Sequence, residues 1–216
     1  MRNKRTSQIP YSEIKQIYLR HKEKIAARIR EFRKCGKRGC ERQLFIELAF
    51  CILTPQSNAH SCWKAVERLV RNNLLFEGTP PQIAAHLTGV RFHNNKSRNL
   101  SCARKRFPLF LNLLKSDVAD FELRKWLAEN MPGLGYKEAS HYLRNIGRGT
   151  RLAILDRHIL RTLSELGVIR KTPVSLGTKK YLELERKMKT FSEFVKIPLC
   201  HMDLVIWYKN KKEIFK

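Results

Sequence analysis

The residue with most chemistry to offer is Lys137, in the segment MPGLGYKEASHYLRNIG over residues 131–147. Pro132, Gly133 and Gly135 force a tight reversal between a helix ending at Asn130 and another over 136–146, so the spacing predicts helix, hairpin at about 131–137, helix. Glycines such as Gly133 and Gly135 let backbone approach a nucleic-acid strand closely, and the open amides of the second helix can take a phosphate oxygen. Lys137 falls in that helix's first turn, where the positive end of the macrodipole disfavours a cation. Such a position, with burial, helps an amine lose its proton and become the nucleophile of Schiff-base chemistry. A plainer reading makes Lys137 a surface lysine beside Glu138.

Nineteen residues later, in LAILDRHILRTL, Asp156 follows a short apolar run and opens an amphipathic helix. Aspartate caps helices routinely. A carboxylate there could equally offset the positive charge of an oxocarbenium-like sugar or assist proton transfer.

The elements that must position these residues read as helices throughout. Ile14, Ile17, Tyr18, Ile25, Ile29 and Phe32 share one face of a long first helix for which Ser12 is the expected cap. Residues 41–53 are apolar nearly all round, as in a buried helix, and Pro55 closes them. Further helical patterns cover 57–75, 81–87, 95–107, 117–130, 136–146, 156–166 and 178–191, with another helix at the end of the chain. No stretch alternates with period two for long enough to predict a strand. The expected class is all-α, in two lobes: residues 37–149 form a central lobe, and 1–36 with 150–216 form a lobe from both chain ends.

Subtracting 19 Asp and Glu from 44 Lys and Arg leaves +25, which points to a polyanionic partner, nucleic acid first. No acid occurs between Glu77 and Asp117, while Arg91, Lys96, Arg98, Arg104, Lys105, Arg106 and Lys115 accumulate; this block is expected to line a phosphate-binding face. With 43% hydrophobic residues a core can form, which excludes wholesale disorder. No apolar run reaches the roughly 18 residues of a membrane span, and MRNKRTSQIP lacks the apolar core of a signal peptide, so a cytoplasmic protein without membrane contact is expected. Cysteines at 35, 40, 51, 62, 102 and 200 are too scattered for a disulfide framework and read as reduced thiols. Cys35 and Cys40 make one close pair with no second to complete a zinc site, and no metal is expected.

A lysine after a Gly-rich hairpin and an aspartate at the head of the next helix together resemble the helix-hairpin-helix DNA glycosylase superfamily. Within it GYKEASHYLRN, LDRHIL and the ending MDLVIWYKNKKEIFK are similar to the archaeal-type 8-oxoguanine DNA glycosylase/lyases, over most of the chain. The resemblance implies a lysine that attacks the anomeric carbon of a flipped nucleotide, expels the damaged base and cleaves the strand by β-elimination, in a cleft between the lobes. Lys137 matches that nucleophile and Asp156 the carboxylate. His158 is similar to a histidine that binds backbone phosphate, and Gln56, in LTPQSNAH, to a side chain that fills the hole left by the extruded base. Phe92, in VRFHNNKSRNL, is implied to border the base pocket, and Trp207 with the terminal carboxylate of Lys216 to hold the oxidised purine. Pattern alone would place Phe92 and Trp207 in the core, His158 at a packed helix start and Lys216 at a frayed end.

The four grouped thiolates of the iron-sulfur relatives are missing, since Cys200 alone lies beyond residue 102. Schiff-base chemistry requires no metal or organic cofactor, and none is expected. The implied partner is double-stranded DNA containing oxidised guanine, bound by a monomer. Two rivals remain: a non-enzymatic helix-hairpin-helix DNA-binding module, for which charge and the glycine turn suffice, and a related glycosylase for another oxidised base.

Overall fold

The computed structural model describes residues 10–216, and every regular element among them is helical. The signal-peptide reading and the first residues of the end-built lobe lie outside the described residues. The chain divides into two compact units, one from residues up to Phe32 together with Gly149–Lys216, the other Arg33–Arg148. No helix among the described residues is long and apolar enough to cross a membrane.

Helix α1 (Tyr11–Arg38) contributes to both units and buries Ile14, Tyr18, Ile25, Ile29 and Phe32. Ser12 is not its cap, because the helix already includes Tyr11. In the Arg33–Arg148 unit follow α2 (Glu41–Leu53), α3 (Ala59–Arg71), α4 (Leu74–Glu77), α5 (Pro80–Ala85), α6 (His93–Lys115), α7 (Asp120–Asn130) and α8 (Tyr136–Asn145). The continuous helix expected over 57–75 is broken, since Asn73 takes a left-handed φ of 54° between α3 and α4. Conversely, α6 runs through Pro108 to Lys115, because Leu100, Ala103, Phe107, Phe110 and Leu111 bury an unbroken stripe across the proline. The core of this unit is aromatic: Phe107 lies 5.0 Å from Phe45 and 6.2 Å from Phe110, and Phe110 lies 5.6 Å from Tyr142.

The other unit carries α9 (Arg157–Glu165), α10 (Thr178–Val195) and α11 (Leu199–Lys211) beside the first part of α1. Its apolar segment 152–155 is buried and belongs to no helix, so its backbone needs partners from elsewhere. The Tyr181 hydroxyl donates to Ala153 O at 2.7 Å, and Ala153 N donates to Glu185 Oε1 at 2.7 Å, both from α10. That segment delivers the chain to Asp156.

Candidate active site

In the Arg33–Arg148 unit the predicted reversal is present. Leu134 N donates to Met131 O at 3.2 Å, with Pro132 and Gly133 between them and Gly133 at φ +83°, the pattern of a type II turn. A Cβ on Gly133 would stand 2.5 Å from Asn99 Nδ2 and push that side chain aside, while the positive φ is what demands glycine. Gly135 has no such need: its backbone is extended, and its amide donates to Glu138 Oε2 at 3.2 Å. Gly133 N–H is the exposed hairpin amide with no acceptor among the described residues.

Lys137 lies in the first turn of α8 with its side chain 21% exposed, and its Nζ is 3.5 Å from Glu138 Oε1. It is therefore partly enclosed, with the neighbouring carboxylate as its ion-pair partner. Behind it, α8 buries Ser140, His141, Arg144 and Asn145 as well as apolar side chains. Asn145 Nδ2 donates to Glu47 Oε2 of α2 at 3.0 Å. From α7, Arg124 donates to Ser140 Oγ at 3.3 Å and lays its guanidinium 4.9 Å from the Tyr136 ring centre.

Gln56 is exposed in the loop after α2 and has a left-handed φ of 55°. Phe92, which opens α6, is left-handed as well at φ 58°, and at 51% exposed it is not a core residue. Arg91 covers its ring, with guanidinium carbon 5.3 Å from the centroid. The two segments touch, since Arg91 N donates to Ser57 Oγ at 3.0 Å.

Lys96, which the charge pattern placed on a phosphate face, is instead buried at 5% exposure. Burial pushes its ammonium below the ordinary lysine range; Arg91 and Lys137 add to this, while Cys62 and Glu138 oppose it. Burial likewise raises the Cys62 thiol to about 11, against the opposing charges of Lys96 and Lys137 and a hydrogen bond from Ser57. The signal was present in the sequence: Lys96, Leu100, Ala103 and Phe107 fall on the same buried stripe of α6. Arg104 also turns inward, to Gly78 O at 3.0 Å, whereas Arg98, Lys105 and Arg106 are exposed, Arg106 bonding Asn130 O at the surface.

In the other unit Asp156 is the N-cap of α9: its Oδ1 accepts from Ile159 N at 2.7 Å. Oδ2 has no hydrogen-bond partner among the described residues, so capping and chemistry are compatible. His158 meets the Trp207 ring edge to face, with centroids 6.0 Å apart. The indole Nε1 of Trp207 is buried without an acceptor among the described residues, an exception that invites a ligand acceptor. Lys216 ends the chain half-buried. None of the six cysteines is in a disulfide, and no group of ligating side chains among the described residues could hold a metal ion.

A glycine hairpin between α7 and α8, with a lysine in the first turn of α8, makes the Arg33–Arg148 unit a helix-hairpin-helix unit. Residues 25–197 match the family model described as 8-oxoguanine DNA glycosylase. A relative from Fusobacterium nucleatum, named 8-oxoguanine DNA glycosylase/AP lyase, is 42% identical over 211 residues, which span 95% of this chain and 97% of the relative. The solved structure of the Thermotoga maritima 8-oxoguanine DNA glycosylase superposes with a TM-score of 0.87 at 32% identity, over 95% of this chain and 97% of that one. The Methanocaldococcus jannaschii 8-oxoguanine glycosylase/lyase, solved with a 15mer DNA containing 8-oxoguanine, gives a TM-score of 0.87 at 31% identity, over 95% and 98%. The chain belongs to the 8-oxoguanine DNA glycosylase family.

Proposed function

We propose that this chain is a DNA repair enzyme that excises 8-oxoguanine from duplex DNA and then cleaves the strand as an AP lyase. The observation that carries the reading is Lys137, partly enclosed in the first turn after the hairpin of a chain that belongs to this family. Its amine nitrogen attacks C1′ of the flipped nucleotide; the C1′–N9 bond breaks and its electron pair leaves with the base, which takes up a proton. Loss of a proton from the amine and opening of the sugar give the iminium C1′=Nζ. Removal of a C2′ proton then expels the 3′ phosphate oxygen by β-elimination. Asp156 offsets the positive charge that builds on the deoxyribose, with Oδ2 as the free oxygen.

The remaining roles follow the chemistry of each side chain. Gly133 presents its amide, and His158 its ring, to backbone phosphates, while Gln56 fills the space of the extruded base. Gly135 serves the hairpin's shape rather than a phosphate, because its amide is occupied by Glu138. Trp207 offers the oxidised purine its ring and a buried N–H in need of an acceptor, and the Lys216 carboxylate accepts from purine N–H groups. Phe92 offers an exposed aromatic face for stacking.

Borohydride reduction during incubation with an 8-oxoguanine duplex tests the reading, since it converts the iminium into a covalent adduct. The parent enzyme is expected to form the adduct, and Lys137→Gln to form none while still binding duplex. An adduct in Lys137→Gln would remove this lysine from the nucleophile's role. No adduct in the parent would remove the Schiff-base lyase step, and no base release either would leave a DNA-binding module without enzymatic activity.

A further inference from the structure

Gln56 and Phe92 share a feature that side-chain-bearing residues adopt rarely: a left-handed backbone at an exposed position. Lys196 and Lys212, also left-handed, merely end α10 and α11. What distinguishes Gln56 and Phe92 is a common clasp beneath them. The Lys96 ammonium donates to Leu53 O at 2.7 Å, to Pro55 O at 2.7 Å and to Ser57 Oγ at 2.9 Å. Leu53 ends α2, Pro55 and Ser57 flank Gln56, and the same Ser57 hydroxyl accepts from Arg91 N next to Phe92. All three ammonium protons are thereby committed inside the chain.

We propose that Lys96 is a positioning residue for base extrusion, whose ammonium locks the Gln56 loop and the Phe92 turn into one preformed element that enters the duplex. This rests on the reading of Gln56 as the side chain that fills the vacated space. A loop that must hold its shape while base pairs open around it needs internal bonds that do not pass to solvent, and a buried point charge with three converging acceptors supplies them. Burial works against the charge here, as the lowered Lys96 ammonium records, so a methionine would fill the same volume with less desolvation cost and no clasp. Lys96 touches no substrate: its three bonds exclude a phosphate contact.

The test uses the full-length Lys96→Met enzyme with two substrates. One is a duplex with a central 8-oxoguanine, read by single-turnover excision; the other is a single-stranded oligonucleotide with an abasic site, read by borohydride trapping, which needs Lys137 and no extrusion. Duplex excision is expected to fall by about a hundredfold, the scale of a misplaced catalytic geometry, with single-strand trapping held within about twofold. Loss of both together, or of neither, overturns the proposal. Gln56→Ala separates it from the reading beneath it. If Gln56→Ala excises like the parent, the space-filling role fails. If Gln56→Ala loses excision and Lys96→Met keeps it, only the Lys96 role fails. The double variant should be no slower than the slower single one, because both remove the same step; losses that multiply place Lys96 elsewhere and overturn the proposal. Should Lys96→Met not fold, Ser57→Ala, which removes the hydroxyl shared by Lys96 and Arg91, is measured on the same two substrates and judged by the same outcomes.

Discussion

Asp156 caps α9 with one oxygen and in the proposed mechanism meets the sugar's charge with the other, and one substitution separates the two roles. Oδ1 accepts from Ile159 N at 2.7 Å and caps α9; Oδ2 faces no partner among the described residues. Asp156→Asn keeps a carbonyl oxygen for the cap and removes the charge. Asparagine caps as well as aspartate, so the melting temperature should stay within about 1 °C of the parent. Asp156→Ala removes the cap, worth about 1 kcal/mol, which in a chain of this length lowers the melting temperature by about 2–4 °C. In the proposed mechanism the two are alike for chemistry, because both remove the anion assigned to the developing positive charge. Loss of one preorganised electrostatic group costs about 10²–10³ in rate, or roughly 3–4 kcal/mol of transition-state stabilisation. The assays are a thermal melt and single-turnover excision of 8-oxoguanine from duplex, at saturating enzyme so that binding does not enter. Asparagine should therefore behave as the parent in the melt and as alanine in the rate. If Asp156→Asn melts lower and excises at the parental rate, Asp156 is a cap and nothing more.

Gly133→Ala should weaken duplex binding and cost about 1–2 kcal/mol of stability, since alanine must adopt φ +83° with its Cβ 2.5 Å from Asn99 Nδ2; a variant that melts and binds like the parent refutes this. Neutralising the exposed Arg98 and Lys105 should flatten the salt dependence of duplex affinity by about 1 in log–log slope for each phosphate they neutralise in the parent, measured by fluorescence anisotropy. Arg104→Gln should instead lower the melting temperature and leave the slope alone, because that guanidinium holds the Leu75 and Gly78 carbonyls. Appending residues after Lys216 should damage excision of oxidised guanine far more than Lys216→Ala, which keeps the main-chain carboxylate; equal effects would remove the terminus from base recognition.

Much of this architecture is legible because helices announce themselves by periodicity. The apolar run of residues 41–53 is α2 to the residue, and the hairpin is readable from Pro132 and Gly133. Sequence reasoning fails where a local rule meets a longer-range one. Pro108 reads as a helix end, yet the buried stripe on α6 holds the helix through it. A left-handed Asn73 breaks a pattern that periodicity joins, and asparagine's tolerance for that conformation is the available signal. Lys96 groups with its charged neighbours in sequence but with Leu100 and Ala103 on its helix face, so a buried clasp reads as a phosphate ligand. Buried Arg124, Ser140 and Asn145 carry no sequence signature, because polar residues on a helix are read as solvated until a partner from another helix is known.

That polar burial bears on how a nucleophile is placed. Apolar packing alone tolerates repacking and loses uniqueness before it loses stability. Helix α8 lacks that freedom: Asn145 is tied to Glu47 of α2 near one end, and Arg124 of α7 engages Ser140 and the Tyr136 ring near the other. In a low-dielectric interior, shifting the helix would leave those groups unpaired, so few registers other than the observed one are tolerable. Lys137 follows Tyr136 directly, and its position is therefore set by bonds made behind it rather than by its own neighbours. The same α2 that anchors α8 through Glu47 ends at Leu53, whose carbonyl Lys96 of α6 binds. The helix that bears Lys137 and the Gln56 loop are thus anchored to one buried helix, the first at its middle and the second at its C-terminal end. A change at Glu47, a buried residue, should reach excision through α8, and it should do so without altering the salt dependence of binding.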